Sequence, residues 1–398
     1  MSQTPVDTAL AARTRRIAVS ATAAMLHAAG QLRAEGRNLV DLGVGEPDFP
    51  TPEHIKQAAA AALAHNQTRY TDIAGLAALR QAVATAHARD YGSVYPPEQV
   101  LVTVGGKHGL FNATQVLVDH GDEVIVPAPY WVSFTEQIRY AGGTPVIVST
   151  DESQGFTLTV GAIEKALTPR TKVILLNSPS NPSGAVFPPE TFRALLDLCR
   201  HRGLWLLSDE CYAQLSYDAP PYSVAGEPGA DERVIISGSL SKTYAMTGWR
   251  IGYTLAPPAV HKAMNSLQSH TTSNTTTFAQ YGAIAALTGT QQPVADMRTA
   301  YRGRREVIVA GLNAIPGVRC VRPAGAFYAY ANVGHFLGGK GPKNTMEFSH
   351  RLLREAGVVS VPGEAFGTTE HVRFSYAASI PMIEEGLRRL RDFCAAIG

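Results

Sequence analysis

The sequence predicts an α/β protein: a mainly parallel seven-stranded sheet domain with helices on both faces, joined to a smaller α+β lobe. Three observations support this. Seven short apolar runs recur at residues 99–104, 123–126, 144–148, 172–176, 203–207, 233–236 and 249–255. They are continuous, not alternating, as strands covered on both faces must be. Helical stretches such as residues 190–202 lie between several runs and suit the crossovers of a parallel sheet. Past Leu255 the pattern changes to longer helices and a few short apolar segments. A chain of 398 residues has room for two such bodies.

Along the chain, residues 20–35 have helical composition. The run 17–26 that follows Arg13-Thr14-Arg15-Arg16 is broken by Ser20 and Thr22 and continues into that helix, so it does not read as a signal peptide. Residues 38–50 form a short extended run ended by Gly and Pro, where Gly43 and Gly45 allow either a plain turn or close approach of the backbone to a ligand. Thr51 is placed as N-cap, Pro52 as the first helical residue and Glu53 in the first turn of a helix reaching residue 64. A turn at 70–75 leads to a second helix at 76–91, and then the strand runs begin. Beyond them, helices are expected at 258–270, 277–287 and 294–314, the last linking the two lobes. Short strands at 318–321, 326–330, 358–361 and 372–376, with helices at 345–356 and 382–397, complete the small lobe. The boundaries that follow are 1–50 for an N-terminal segment belonging to the small lobe, 51–290 for the large domain and 291–398 for the C-terminal small domain.

Composition narrows the function classes. With 45% apolar and 17% charged residues the chain reads as folded. A net charge of +2 gives no reason to expect nucleic acid or an anionic membrane as partner. No stretch approaches the roughly 18 to 20 apolar residues of a membrane span. Cys199, Cys211, Cys320 and Cys394 are widely spaced, which suggests no metal site or disulfide framework and fits a reducing cytoplasm.

In doubly covered parallel sheets ligands gather beyond the carboxyl ends of the strands. The unusual residues of this chain stand there. Gly105-Gly106-Lys107 opens a helix, whose free N–H groups suit an anion. Trp131, in Pro127-Ala-Pro-Tyr-Trp-Val132, is either core packing or a stacking surface. Asn181 lies in the polar turn Asn177-Ser-Pro-Ser-Asn-Pro-Ser-Gly184. Asp209, in Ser208-Asp-Glu-Cys-Tyr212, is either a capping residue or a buried acid for a cationic ring nitrogen, with Tyr212 three residues on. The segment Ser237-Gly-Ser-Leu-Ser-Lys-Thr-Tyr-Ala-Met-Thr-Gly-Trp-Arg-Ile-Gly-Tyr253 sets Lys242 among Ser239, Ser241 and Arg250. Hydroxyls and a guanidinium hold phosphates, and a lysine amine kept partly neutral attacks aldehydes. Together they read as a site for pyridoxal 5′-phosphate (PLP), with Lys242 forming the imine.

The 237–253 segment closely resembles the lysine segment of the class I PLP-dependent aminotransferases, of fold type I, and other strings extend the likeness from about residue 39 to 376. The overall pattern is most similar to the bacterial aspartate aminotransferase branch. The resemblance of G-E-P-D-F implies that Gly45 meets substrate through its backbone. That of P-Y-W-V implies that Trp131 stacks on the cofactor ring. The string N-S-P-S-N-P-S-G is similar to the family's N-P-x-N-P-T-G, departing at Ser178, Pro179 and Ser183 while keeping Asn181. The segment H-V-R-F-S-Y implies that Arg373 clamps the substrate α-carboxylate, although a strand arginine could equally face solvent. R-Y-T-x-x-x-G implies that Tyr70 reaches the cofactor phosphate of a partner subunit, and hence a homodimer with shared active sites.

The resemblance therefore implies an aminotransferase acting on an L-amino acid, aspartate favoured, and a 2-oxo acid such as 2-oxoglutarate; the cysteine pattern adds the expectation of a cytoplasmic setting. Aromatic or broad specificity, or a PLP-dependent lyase of the same fold, would use the same cofactor residues. A PLP-responsive regulator would need a DNA-binding domain, and only a short segment precedes the resemblance. Lys107, Arg13, Arg15 and Arg16 are the candidate readers of a distal carboxylate.

Overall fold

The computed structural model describes residues 10–18 and 21–398, with the side chains of residues 21–23 outside the description. Residue 20, at the start of the expected first helix, and part of the run 17–26 lie outside the described residues. The helix is found at Ala21–Ala34.

After it comes β1 (Val40–Asp41). The large sheet then uses all seven apolar runs, as β2 (Val100–Thr103), β3 (Glu123–Ala128), β4 (Thr144–Ser149), β5 (Thr171–Asn177), β6 (Trp205–Asp209), β7 (Val234–Ser239) and β8 (Gly252–Leu255). Their order is β2-β8-β7-β6-β5-β3-β4, and β8 alone runs antiparallel to its neighbours. The continuity of the runs has a packing cause. Val100, Val102, Ile174 and Leu176 enter one core, against Leu79, Leu195 and Ala283 of the covering helices. Leu101, Val173 and Leu175 enter another, against Leu110, Ile138 and Met264. Successive residues of a strand point to opposite faces, so two covered faces demand apolar residues at every position. The edge strand β4 departs from this, with Ile147 exposed.

The small lobe holds β9 (Arg319–Cys320), β10 (Tyr328–Asn332), β11 (Val358–Val359), β12 (Val361–Pro362) and β13 (His371–Ser375). Four of these form the antiparallel sheet β12-β13-β10-β9, while β11 pairs in parallel with β1. The single strand expected at 358–361 is thus two, divided at Ser360 and committed to different sheets. The helix Gln292–Asn313 gives Val294 to the first large core and Met297, Tyr301, Ile308 and Leu312 to the small-lobe core, so it ties the two together.

Two further expectations need correction. Thr51 does not cap the following helix, which begins at Glu53 with Pro52 as its N-cap. Its hydroxyl instead donates to the Ala245 carbonyl at 2.6 Å and accepts from Trp249 Nε1 at 3.1 Å, tying the start of that helix to the lysine segment. The helix at 345–356 is α-helical only over Thr345–Arg351 and continues as a π-helical turn, Leu352–Ala356.

Candidate active site

The carboxyl ends of β5, β6 and β7 bring Asn177, Asp209 and Ser239 to one edge of the sheet, where they border a cavity of about 970 Å³. Gly45, Gly106, Lys107, Trp131, Asn181, Tyr212, Ser241, Lys242, Arg250 and Arg373 line it too. Of the residues singled out from sequence, Tyr70 is not in its wall; it stands 90% exposed on the turn between two helices.

Lys242 sits in the short helix Leu240–Thr243, capped by the Ser239 side chain, whose Oγ accepts from Ser241 N at 3.2 Å. Its Nζ donates to the Gly45 carbonyl at 2.6 Å. Burial depresses its pKa, and the nearby charges of Arg373 and Arg250 act in the same direction against Cys211 and Glu46. These are the conditions under which an ammonium gives up its proton and becomes a nucleophile or a base.

Beside it the backbone builds a cradle that suits an anion. The helix Gly106–Leu117 starts at the mouth of the cavity, with Gly105 as N-cap at φ 74°. A Cβ on Gly105 would lie 2.4 Å from Arg250 Nη2, so only glycine lets the guanidinium reach the helix N-terminus. Arg250 is itself in the left-handed region, φ 57°, with Nη1 donating to the Thr247 carbonyl at 2.8 Å. Free N–H groups, two serine hydroxyls and one guanidinium at a single place suit a dianion.

Asp209 closes β6 with both neighbouring strands in register, and its carboxylate accepts from Cys211 N at 3.1 Å. Burial pushes its pKa up to about 7. Among the described residues it has no cationic partner, so a ring N–H⁺ reaching it would supply one. This buried carboxyl and the anion-suited cradle fit pyridoxal phosphate.

Arg373 does not face solvent. It is 3% exposed and donates from Nη1 to Asn181 Oδ1 and from Nη2 to the Gly43 carbonyl, both at 2.8 Å. Its Nε has no partner among the described residues. Asn181 is held by its own N–H donating to Asn177 Oδ1 at 2.8 Å, and Asn177 Nδ2 donates to the Asp209 carbonyl at 3.0 Å. Arg373 is therefore linked to the backbone of Asp209 through two asparagines, Asn181 and Asn177.

Lys107 Nζ lies 5.0 Å from the centre of the Trp131 ring, and burial, then Arg250, lowers its pKa. Arg13, Arg15 and Arg16 lie on an exposed 3₁₀ turn and are absent from the cavity wall. Sequence reasoning missed Tyr328 and Cys211, which also line the cavity, and gave Asn177 no role. Tyr328 was legible only as part of a strand; its place depends on β10 pairing with β13, which sets Tyr330 opposite Arg373.

Residues 37–390 match the family "Aminotransferase class I and II". The chain belongs to the class I and II aminotransferases. Among similar curated proteins, the aspartate aminotransferase of Geobacillus stearothermophilus is 44% identical over 97% of this chain and 99% of its own length. That of Streptomyces avermitilis is 46% identical over 97% of each. Among solved structures, Thermus thermophilus aspartate aminotransferase with maleate has a TM-score of 0.92 and 42% identity, covering 97% of this chain and 100% of that one. The Rhizobium meliloti aspartate aminotransferase gives 0.94 and 40%, covering 98% of this chain and 100% of that one. The aminotransferase fold type I expected from the lysine segment is thus the fold observed, and in this aminotransferase Lys242 lines the cavity and donates to the Gly45 carbonyl.

Proposed function

We propose that this aminotransferase holds pyridoxal 5′-phosphate on Lys242 and moves the amino group of L-aspartate to 2-oxoglutarate. One observation carries the choice of substrate: besides Lys242 and Arg250, the same cavity contains a buried guanidinium, Arg373, whose Nε has no partner among the described residues, and the further cation Lys107, which together suit a dicarboxylic amino acid. The names of the relatives support it.

Bound there, the cofactor would supply an electron sink for the pair left on Cα when its proton departs. Lys242 Nζ takes that proton and returns it, and its depressed pKa suits both duties. Asp209 as a carboxylate would hold the charge of the ring nitrogen, and Tyr212 and Asn181 would donate to the phenolate oxygen. Gly106, Lys107, Ser239, Ser241 and Arg250, which line the cavity, would hold the phosphate, and Trp131 would stack on the ring. Arg373 fixes the α-carboxylate, and so chooses which Cα bond is aligned for cleavage. Gly45 offers its backbone to substrate. Tyr70, exposed in the single chain, completes the phosphate site of a partner in a homodimer. Four unpaired cysteines support a cytoplasmic setting.

The test is a panel of amino donors with 2-oxoglutarate, followed by loss of the absorbance of the aldehyde form of the cofactor. Aspartate should convert the cofactor with a kcat/KM at least about tenfold above that of phenylalanine or alanine, the worth of one charge-assisted contact. Faster conversion by an aromatic donor would overturn the assignment, and ammonia release without any oxo-acid acceptor would replace transamination by elimination.

A further inference from the structure

Tyr328 touches both sides of the site. It is 1% exposed on β10, and its hydroxyl lies 2.7 Å from that of Tyr212. The guanidinium of Arg373 lies over its ring, 4.4 Å from the centre. A Cβ on Gly45 would come within 2.6 Å of the Tyr328 hydroxyl, so the glycine that receives Lys242 at its carbonyl also gives this hydroxyl its place.

We infer that Tyr328 is a positioning residue that aims the hydroxyl hydrogen of Tyr212 into the cavity and holds the plane of the Arg373 guanidinium, coupling carboxylate binding to the tuning of the cofactor. The inference rests on the transaminase reading above and extends it to a residue for which that reading has no role.

Each phenol carries one hydrogen. Within the Tyr212–Tyr328 pair one hydroxyl donates and the other accepts, so one hydrogen is left over for the cavity. The question is whose. A cation over an aromatic face draws electron density from it, and Arg373 covers Tyr328. Tyr328 is therefore the more acidic phenol and the better donor. Burial raises the pKa of both, yet Arg373 is the main opposing influence on Tyr328, while Tyr212 stands well above its ordinary value. Tyr328 then donates to Tyr212, and the hydrogen of Tyr212 is free to meet an anionic oxygen in the cavity. A donor that is itself receiving a hydrogen bond donates more strongly.

Two substitutions separate the two duties. Tyr328→Phe keeps the ring under Arg373 and deletes the hydroxyl; Tyr328→Leu deletes both. Three quantities are read on the cofactor-loaded protein: the midpoint of the absorbance titration of the bound cofactor, kcat with aspartate, and the dissociation constant of maleate as an unreactive dicarboxylate. A weaker donor at the phenolate oxygen leaves more negative charge there and holds the neighbouring imine proton to higher pH. In Tyr328→Phe the midpoint should therefore rise by roughly 0.5, kcat should fall about fivefold, and maleate binding should stay within about twofold of wild type. Tyr328→Leu should show the same changes and also weaken maleate about tenfold. A Tyr328→Phe protein with the wild-type midpoint and kcat, or a Tyr328→Leu protein that binds maleate normally, overturns the inference. Failure of the underlying reading looks different: wild-type protein that takes up no cofactor and shows no titration.

Discussion

Asp209 shows what a single residue contributes before any ligand arrives. Its folded-state pKa of about 7 compares with an ordinary 3.8, and burial is the main cause. As pH rises from 3.8 towards 7, an unfolded chain releases this proton while the folded protein keeps it, so stability is present at the acid end and declines across that window. In cofactor-free protein this carboxyl should therefore pull the urea midpoint down between pH 5 and 7, against the rise contributed by His87, whose pKa burial lowers to about 4. Asp209→Asn, which does not titrate, should lack that pull, so its midpoint should gain on wild type as pH rises. Glu210, also pushed up to about 7 by burial, keeps its own share, so the downward pull is reduced and not abolished. A ring cation brought beside Asp209 would stabilise the ionised form, so saturating pyridoxal phosphate should remove the same pull from the wild-type protein. Equal slopes for the wild-type and Asp209→Asn proteins without cofactor would show that this carboxyl is not held protonated. Such destabilisation of an empty site is common where a buried group is arranged for a charge that the ligand brings.

At the level of elements, the strand–helix junctions carry the site, and their close packing makes them testable. A Cβ on Gly252 of β8 would lie 2.4 Å from Gly106 N and 2.5 Å from Gly105 C, backbone atoms that cannot turn aside. Gly252→Ala should push the helix N-terminus off the sheet, costing about 1–3 kcal/mol in a urea melt and weakening cofactor binding about tenfold. Gly248→Ala, where a Cβ meets nothing within 4 Å, is the control and should leave both unchanged. Equal behaviour of the two variants would mean that β8 does not set the cradle. The same junctions explain what could be read in advance. Runs such as 172–176 were legible because adjacent residues feed two cores, and Asp209, Asn181 and Lys242 because each closely follows such a run. Thr51 misled because its local pattern is a cap pattern, whereas its hydroxyl serves a contact 194 residues away. Tyr328 was hidden for a related reason: its meeting with Tyr212 spans 116 residues and two lobes, and no local spacing encodes it.

The whole molecule raises the remaining question of where one active site ends. Every residue that the sequence places at the cofactor or the α-carboxylate lines the cavity except Tyr70, a large aromatic ring left 90% exposed. An exposed tyrosine on a turn is ordinary taken alone, but the resemblance gives it a phosphate to reach in another subunit. If one site takes Lys242 from its own chain and Tyr70 from the partner, then two damaged proteins can repair each other. Lys242→Ala removes the amine, and Tyr70→Ala removes the shared phosphate contact. In a hybrid dimer both lesions fall in one site, and the other site receives an intact Lys242 and an intact Tyr70. Unfolding the two variants together and refolding them at equal concentration gives about half hybrids by random pairing, each with one sound site, so activity should return to about a quarter of wild type. Separately refolded variants mixed afterwards should stay near their own levels until subunits exchange. If the co-refolded mixture shows no more than the mean of its parents, Tyr70 does not act across an interface, and each chain works with the cavity it builds alone.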